Sequence, residues 1–253
     1  MTLSETFVAA AGSVTGRDHR RAERDGQDGY AVVVTEDVVA AVVTDGCSSG
    51  RSSEIGARIG AAWLAALTER QFRAAVAVAS ERAEGVSART VASEIVRELL
   101  GRLEVLARSL DASGEVKAAR VDEALLFGFL AVVVTTETTI VFGIGDGIVL
   151  AGGELTVLDP GPENAPPYVA YGLLGARLEP RIHFVGPTAK VDLVAVATDG
   201  LIPLGSALGE LAADARYAKN PSLLRKRLVV LSDRGTFSDD ATVAVIRRRS
   251  APS

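Results

Sequence analysis

Five places in this chain set an acidic side chain against the end of an apolar run. Asp28 stands just before Tyr-Ala-Val-Val-Val, Asp45 closes Val42-Val43-Thr44-Asp45-Gly46, and Asp199 closes Val196-Ala197-Thr198-Asp199-Gly200. Asp146 closes Ile144-Gly145-Asp146-Gly147, and Asp239-Asp240 opens the last apolar run. Apolar runs of this kind read as strands, so these acids sit at strand ends. If the ends meet, the carboxylates repel one another severely unless a cation lies among them. Hard divalent cations suit such oxygen donors, and the lack of a His/Cys cluster argues against zinc.

Each site also has an ordinary reading. An isolated Asp-Gly commonly makes a hairpin turn. Asp45-Gly46 and Asp199-Gly200 resist that, because Cys-Ser-Ser-Gly and Leu-Ile-Pro follow them and lead into helical sequence. Asp146-Gly147 has apolar runs on both sides, and turn and ligand stand level there. Asp239-Asp240 could cap a loop or keep a strand edge soluble. The set carries the argument, and no single site does.

The elements that must position these acids are legible in outline. Residues 30–35 and 38–44 are β-branched runs joined by Glu36-Asp37, a hairpin pattern. Residues 53–70 change to helical spacing, with Ile55, Ile59, Ala62, Trp63 and Ala66 as the apolar stripe and Ser52 or Ser53 as the N-cap. A second helix is expected over 87–110, with Ile95, Leu99, Leu103 and Leu106 on one face. Asp111-Ala112-Ser113-Gly114 then leads back to strands at 125–135 and 138–144. Ile148-Val149-Leu150 and Leu155-Thr156-Val157 flank Gly152-Gly153 as another hairpin. Residues 159–180 hold five of the nine prolines and no sustained period, which predicts a long loop or flap. A strand at 191–198, helices near 203–215 and 221–231, and a strand at 242–247 complete the chain. Strands in series joined by tight turns imply mostly antiparallel sheets with helices outside, an α+β arrangement.

Composition limits the function classes. With 48% hydrophobic residues the 253-residue chain can bury a large core, and a net charge of −5 suggests no general nucleic-acid affinity. The basic runs 225–227 and 247–249 read as a solvated face and a tail. No signal peptide or membrane-spanning run is visible, and the lone Cys47 fits a reducing compartment, so a soluble cytoplasmic protein is expected. Cys47 reads as a small packing residue, not a nucleophile. His183, in the alternating run Arg-Ile-His-Phe-Val, is expected at the surface, and Trp63 in the core.

In order and spacing the acidic motifs resemble the metal-dependent protein phosphatases of type 2C, and especially their compact bacterial branch. Gly12 to Arg21, followed by Gln27-Asp28, is similar to that branch's opening His-Arg…Gln-Asp segment. Thr44-Asp45-Gly46-Cys47-Ser48-Ser49-Gly50 resembles its metal loop, and Asn164-Ala165-Pro166-Pro167-Tyr168 its flap. Ala197-Thr198-Asp199-Gly200-Leu201 and Ser238-Asp239-Asp240-Ala241-Thr242-Val243 resemble its last two metal motifs.

The resemblance implies one phosphatase-like domain over 1–253, with a core at about 8–247 and the flap at 159–180. Its fold would be two antiparallel sheets packed as a sandwich between helices. It implies two Mg²⁺ or Mn²⁺ ions and a weaker third. Asp45 would bridge two ions with the Gly46 carbonyl completing one shell, Asp199 and Asp239 would hold the other ion, Asp28 would act mostly through bound water, and Asp146 would serve the third ion. Asp240 would be structural. Arg20 would grip the phosphate, with His19, Arg21 and Arg24 as rivals. The implied reaction is hydrolysis of a protein phosphoserine or phosphothreonine by a metal-bridging water. A phosphorylated protein is then the substrate and a kinase the functional partner, with no nucleic acid or membrane involved. Cys47 stands where many eukaryotic members carry a histidine, Ser48 replaces a common glycine, and the usual Gly-Thr-Thr segment is poorly represented by Leu125-Leu126-Phe127-Gly128. Two alternatives accompany this reading: a non-catalytic phosphoprotein-binding regulatory module of the same fold, and a phosphatase for a small metabolite.

Overall fold

Val39 to Thr44 and Phe127 to Val134 are buried at every position. A strand covered on one face only would alternate, so these central strands must be covered on both. The computed structural model, which describes residues 2–82, 85–162 and 165–249, shows what covers them. Asn164 of the flap sequence lies outside the described residues.

In chain order the strands are β1 (Phe7–Val14), β2 (Gly29–Val34), β3 (Val39–Gly46), β4 (Phe127–Val134), β5 (Thr138–Ile144), β6 (Gly147–Ala151), β7 (Glu154–Leu158), β8 (Arg181–Pro187), β9 (Leu193–Ala197) and β10 (Ala241–Arg248). They form two antiparallel five-stranded sheets, ordered β2-β3-β4-β5-β8 and β1-β10-β9-β6-β7. The helices are α1 (Leu3–Thr6), α2 (Arg17–Arg21), α3 (Ser53–Arg82), α4 (Ala88–Ser109), α5 (Ala118–Ala124), α6 (Ala207–Ala212) and α7 (Leu223–Asp233).

The period of two along β3 sorts its side chains into two cores. Val39, Ala41 and Val43 meet Val149, Val194, Val196 and Ile246 between the sheets. Ala40 and Val42 face outward, where Leu64, Leu67 and Phe72 of α3 and Ile95 and Leu99 of α4 cover them. On the other side, Leu208 and Leu211 of α6 and Leu224 and Leu228 of α7 cover Ala195, Val243 and Val245. The result is the expected sandwich of two sheets between helices.

Several local expectations need correction. β1 was not anticipated, because Phe7-Val8-Ala9-Ala10-Ala11-Gly12-Ser13-Val14 is poor in strand formers. Pairing with β10, from Phe7 opposite Arg248 to Val14 opposite Ala241, makes it a strand. α5 was also unforeseen, α3 runs twelve residues past 70, and the helix expected at 203–215 is α6 between 3₁₀ turns at Asp199–Leu204 and Ala215–Ala218. Arg247 and Arg248 belong to β10 and not to a tail, and Arg248 lies over the Phe7 ring at 4.6 Å. His183 is half-buried, not at the surface, and sits at the register shift between β5 and β8.

The buried face of α3 is not the one the large residues suggested. Ile55, Ala62 and Ala66 are exposed, and Ile59 and Trp63 are only half-buried. Gly56, Ala57, Gly60, Ala61, Leu64 and Ala65 are buried instead, with Ala57, Gly60, Leu64 and Ala65 toward the sheet and Gly56 against Leu125. Small residues let the helix approach closely: a Cβ on Gly60 would lie 2.3 Å from Cζ of Phe127. Gly60→Ala is therefore expected to destabilise the protein by about 1–3 kcal/mol through overpacking. A urea midpoint equal to wild type would show that Phe127 has room to move.

Candidate metal centre

Antiparallel pairing brings the acid-bearing strand ends to one end of the sandwich. Asp28 precedes β2 and Asp45 lies near the end of β3, both in the first sheet. Asp199 follows β9 and Asp239 precedes β10, both in the second. Asp146 lies between β5 and β6, and those strands belong to different sheets. Asp146-Gly147 is thus a crossover and not a hairpin turn. Gly147 adopts φ 124° there, which an L side chain rarely reaches.

The acids lie near enough to feel one another's charge. Burial and then the charges of Asp28, Asp199, Asp146 and Asp239 push the Asp45 carboxyl well above the usual range. Burial, Asp240 and Asp239 raise Asp28, against hydrogen bonds from Thr242 and Thr198 that lower it. The Thr198 hydroxyl donates to Asp28 Oδ2 at 2.8 Å and ties the second sheet to the first. Asp199 is raised by burial and by Asp239, and lies within hydrogen-bonding reach of Asp45. Asp146 is pushed up to about 6 by burial and Asp199. Carboxyls that oppose one another's ionisation in a cleft are an all-oxygen donor set fitted to hard divalent cations.

Polar struts hold this arrangement. Gln27 Nε2 donates to Gly50 O at 2.9 Å and to Ser53 Oγ at 2.6 Å, and Ser53 Oγ donates to Cys47 O at 2.8 Å. Arg24 donates to Ser48 O at 3.1 Å and to Gly50 O at 2.6 Å. The loop after Asp45-Gly46 is thereby fixed to the segment carrying Asp28. Gly46 is the last residue of β3, opposite Phe127. Cys47 is buried and its sulfur lies 3.1 Å from Ser49 Oγ.

Asp239 and Asp240 are adjacent but differently employed. Asp239 is exposed, whereas Asp240 is buried and accepts the backbone N–H of Gly16 at 2.7 Å and of Gln27 at 2.5 Å. His19 Nδ1 lies 2.9 Å from Asp240 Oδ2. Among the described residues His19, Asp239 and Asp240 each bring a ligand atom within 4.8 Å of the others. With both Asp240 oxygens accepting amides, that trio is better suited to joining the opening segment to β10 than to holding an ion.

The basic residues of the opening segment diverge. His19 turns to Asp240, Arg24 braces the loop after Asp45, and Arg21 is exposed. Arg20 donates through Nη1 to Thr15 O and Ser232 Oγ, both at 2.7 Å, and lines a cleft that includes Asp28. Sequence reasoning passed over Thr198, which precedes Asp199, and Tyr168, whose hydroxyl is raised by burial, by Cys47 and by Asp45 and Asp146 nearby. Arg58, on a helix face, gave no signal, and Arg225, read as part of a solvated basic face, lines the Arg20 cleft with it.

Comparisons with known proteins agree with this geometry. A family model described as protein phosphatase 2C matches residues 15–239. Among solved structures, the serine/threonine phosphatase PstP/Ppp of Mycobacterium tuberculosis is 15% identical at TM-score 0.60, over 97% of this chain and 100% of that one. The catalytic domain of PstP in complex with two manganese ions is 16% identical at TM-score 0.57, over 97% and 99%. The serine/threonine phosphatase Stp1 of Staphylococcus aureus is 14% identical at TM-score 0.61, over 96% and 95%. At these identities the structures share the fold. No curated protein sequence matches the chain. With a family match across most of its length and the acids of both sheets drawn around Asp45, the chain belongs to the protein phosphatase 2C family.

Proposed function

We propose that this protein is a serine/threonine phosphatase whose Asp28, Asp45, Gly46, Asp146, Asp199 and Asp239 hold Mg²⁺ or Mn²⁺, two ions and a weaker third. The observation that carries the reading is the convergence of acids from both sheets on Asp45, together with membership of the family. When bound, the ions would supply Lewis acidity and a water nucleophile at neutral pH.

The chain's own groups supply the rest. Asp45, Asp199 and Asp239 would hold the cations at one end of the sandwich, away from the apolar core. Asp28, fastened by the Thr198 hydroxyl, would act mostly through water at the edge of the site. Arg20 meets the phosphoryl oxygens of the substrate. Its Nη1 hydrogen bonds to Thr15 O and Ser232 Oγ hold that guanidinium in the cleft that Asp28 also lines. A guanidinium there offsets charge on the oxygens as the ester bond breaks. The flap expected at 159–180 is taken to cover the same end of a single phosphatase unit, because Val169 and Ala170 are buried and the Tyr168 hydroxyl feels the charges of Asp45 and Asp146. Among the described residues no helix is long and apolar enough to cross a membrane. A cytoplasmic bacterial enzyme opposing a protein kinase is the setting that fits these features. A phosphopeptide panel run against a panel of phosphorylated metabolites tests the substrate class.

Linkage predicts a pH signature for the centre. The Asp146, Asp45 and Asp28 carboxyls are raised in the folded state, so without metal their contribution to stability is full below their unfolded values and is lost as pH rises, through about 6 for Asp146 and through the raised folded values of the other two. Metal and protons compete for the same oxygens. The difference in Tm between Mn²⁺ and chelator should therefore widen from pH 5 to pH 7.5. His183, lowered by burial, pulls stability the other way but cancels in that difference. A difference independent of pH would place metal binding elsewhere.

Asp199→Asn and Asp239→Asn should each fold and yet lose at least about a hundredfold in p-nitrophenyl phosphate hydrolysis at saturating Mn²⁺, roughly 2.7 kcal/mol of transition-state stabilisation. Full activity in both variants would move the centre away from β9 and β10.

Asp146 separates the third ion from the first two. Asp146→Ala should leave two tight ions by calorimetry and cut kcat about tenfold, roughly 1.4 kcal/mol. Wild-type kcat in Asp146→Asn would reduce this carboxylate to a backbone role at the crossover.

A further inference from the structure

β1 and β2 are edge strands of opposite sheets, and their ends beside the metal centre leave a groove between them. The groove is about 480 Å³, and Asp28 forms part of its wall. Three arginines from three different elements enter it: Arg20 after α2 begins, Arg58 from α3 and Arg225 from α7. Exposed Tyr30 and Val229 give it apolar surface, and Asp233 is the other carboxylate on its rim.

Two of the groove's three arginines are held by neutral partners. Arg58 Nη2 donates to Gly26 O at 2.8 Å, and Arg20 Nη1 to Thr15 O and Ser232 Oγ. Arg227, two residues beyond Arg225, is instead paired with Asp214 at 2.8 Å on another face of the helix. Carbonyl and hydroxyl acceptors fix a guanidinium without cancelling its charge, so its remaining N–H groups stay available for an anion. On a chain of net charge −5 this is a local reversal of sign. Guanidinium groups favour planar carboxylates and phosphates, and a groove of this size accepts one such group with the backbone that bears it.

We propose that this groove binds a second anionic group of the substrate, an acidic side chain or a second phosphate near the scissile phosphoserine or phosphothreonine, and that Arg58 and Arg225 set a preference for acidic phosphopeptides. The proposal rests on the phosphatase reading, with Arg20 at the scissile phosphate and the other two arginines further along the groove. Arg58 and Arg225 act on substrate affinity and take no part in the chemical step.

The test compares the wild type with the Arg58→Ala/Arg225→Ala double variant under saturating Mn²⁺. The substrates are p-nitrophenyl phosphate, a phosphothreonine peptide flanked by glutamates, the same peptide flanked by glutamines, and a doubly phosphorylated peptide with neutral flanks. The double variant should hydrolyse p-nitrophenyl phosphate and the glutamine peptide as wild type does, while KM for the glutamate peptide rises about tenfold at unchanged kcat. A matching rise for the doubly phosphorylated peptide alone would assign the groove to phosphate, and for the glutamate peptide alone to carboxylate. Equal changes for charged and neutral peptides, or none for any, would overturn the proposal. If the wild type hydrolyses nothing, the phosphatase reading fails and the groove is judged by binding. Fluorescence anisotropy with the labelled glutamate-flanked peptide should then still show weaker binding to the double variant, and equal binding would overturn the groove as an anion site.

Discussion

Carboxylates confined to one cleft make each other harder to ionise, and that repulsion is the constraint on which this structure turns. Burial alone raises an acid; here Asp28, Asp45, Asp146 and Asp199 are raised by burial and by neighbouring acids. Without cations, charge can leave the cleft only by protonation or by partial unfolding. The polar struts must therefore hold a set of groups that push one another apart. Gln27, Ser53, Arg24 and Thr198 do so from the protein side, and Asp240 anchors two backbone amides at the same end. The hydrogen bonds of Gln27, Ser53, Thr198 and Asp240 are buried, where leaving a partner unmatched is costly.

The two-sheet architecture makes that gathering possible. One antiparallel sheet could bring Asp28 and Asp45 together, since β2 and β3 are neighbours. It could not supply Asp199 and Asp239, which belong to β9 and β10 of the other sheet. The apolar layer between the sheets, from Val43 and Leu130 across to Val196 and Ala244, brings the two sets of ends face to face. Asp146 lies on the short connection that passes from one sheet to the other. Core packing and the acidic centre are therefore coupled: a change in the sheet-to-sheet fit would shift the acids of both sides relative to each other.

The same end of the sandwich has a second consequence. Edge strands β1 and β2 leave an opening beside Asp28, and helices from the two outer layers reach over it with Arg58 and Arg225. A cationic groove beside an anionic, metal-seeking centre gives the surface two signs of charge within one substrate's reach. That pattern suits an extended phosphopeptide better than a compact metabolite.

The sequence by itself carried the acids, their order along the chain and most of the strands between them. Asp45-Gly46 and Asp199-Gly200 were informative because helical sequence follows each, which no hairpin allows. The stripe of α4 was also legible, because Ile95, Leu99 and Leu103 are large residues on one face and all three are buried. Three things were not legible. β1 is Ala-rich and becomes a strand only through its pairing with β10, more than two hundred residues away. α3 turns its small residues to the sheet because close approach at Gly60 and Phe127 outweighs burial of Ile55. Asp146-Gly147 looked like a hairpin turn as much as anything else, and only the placing of β5 and β6 in different sheets excludes the hairpin. Local chemistry is written in residue types and short spacings; long-range pairing and the depth of helix-on-sheet contact depend on partners distant in sequence, and only the tertiary structure decided them.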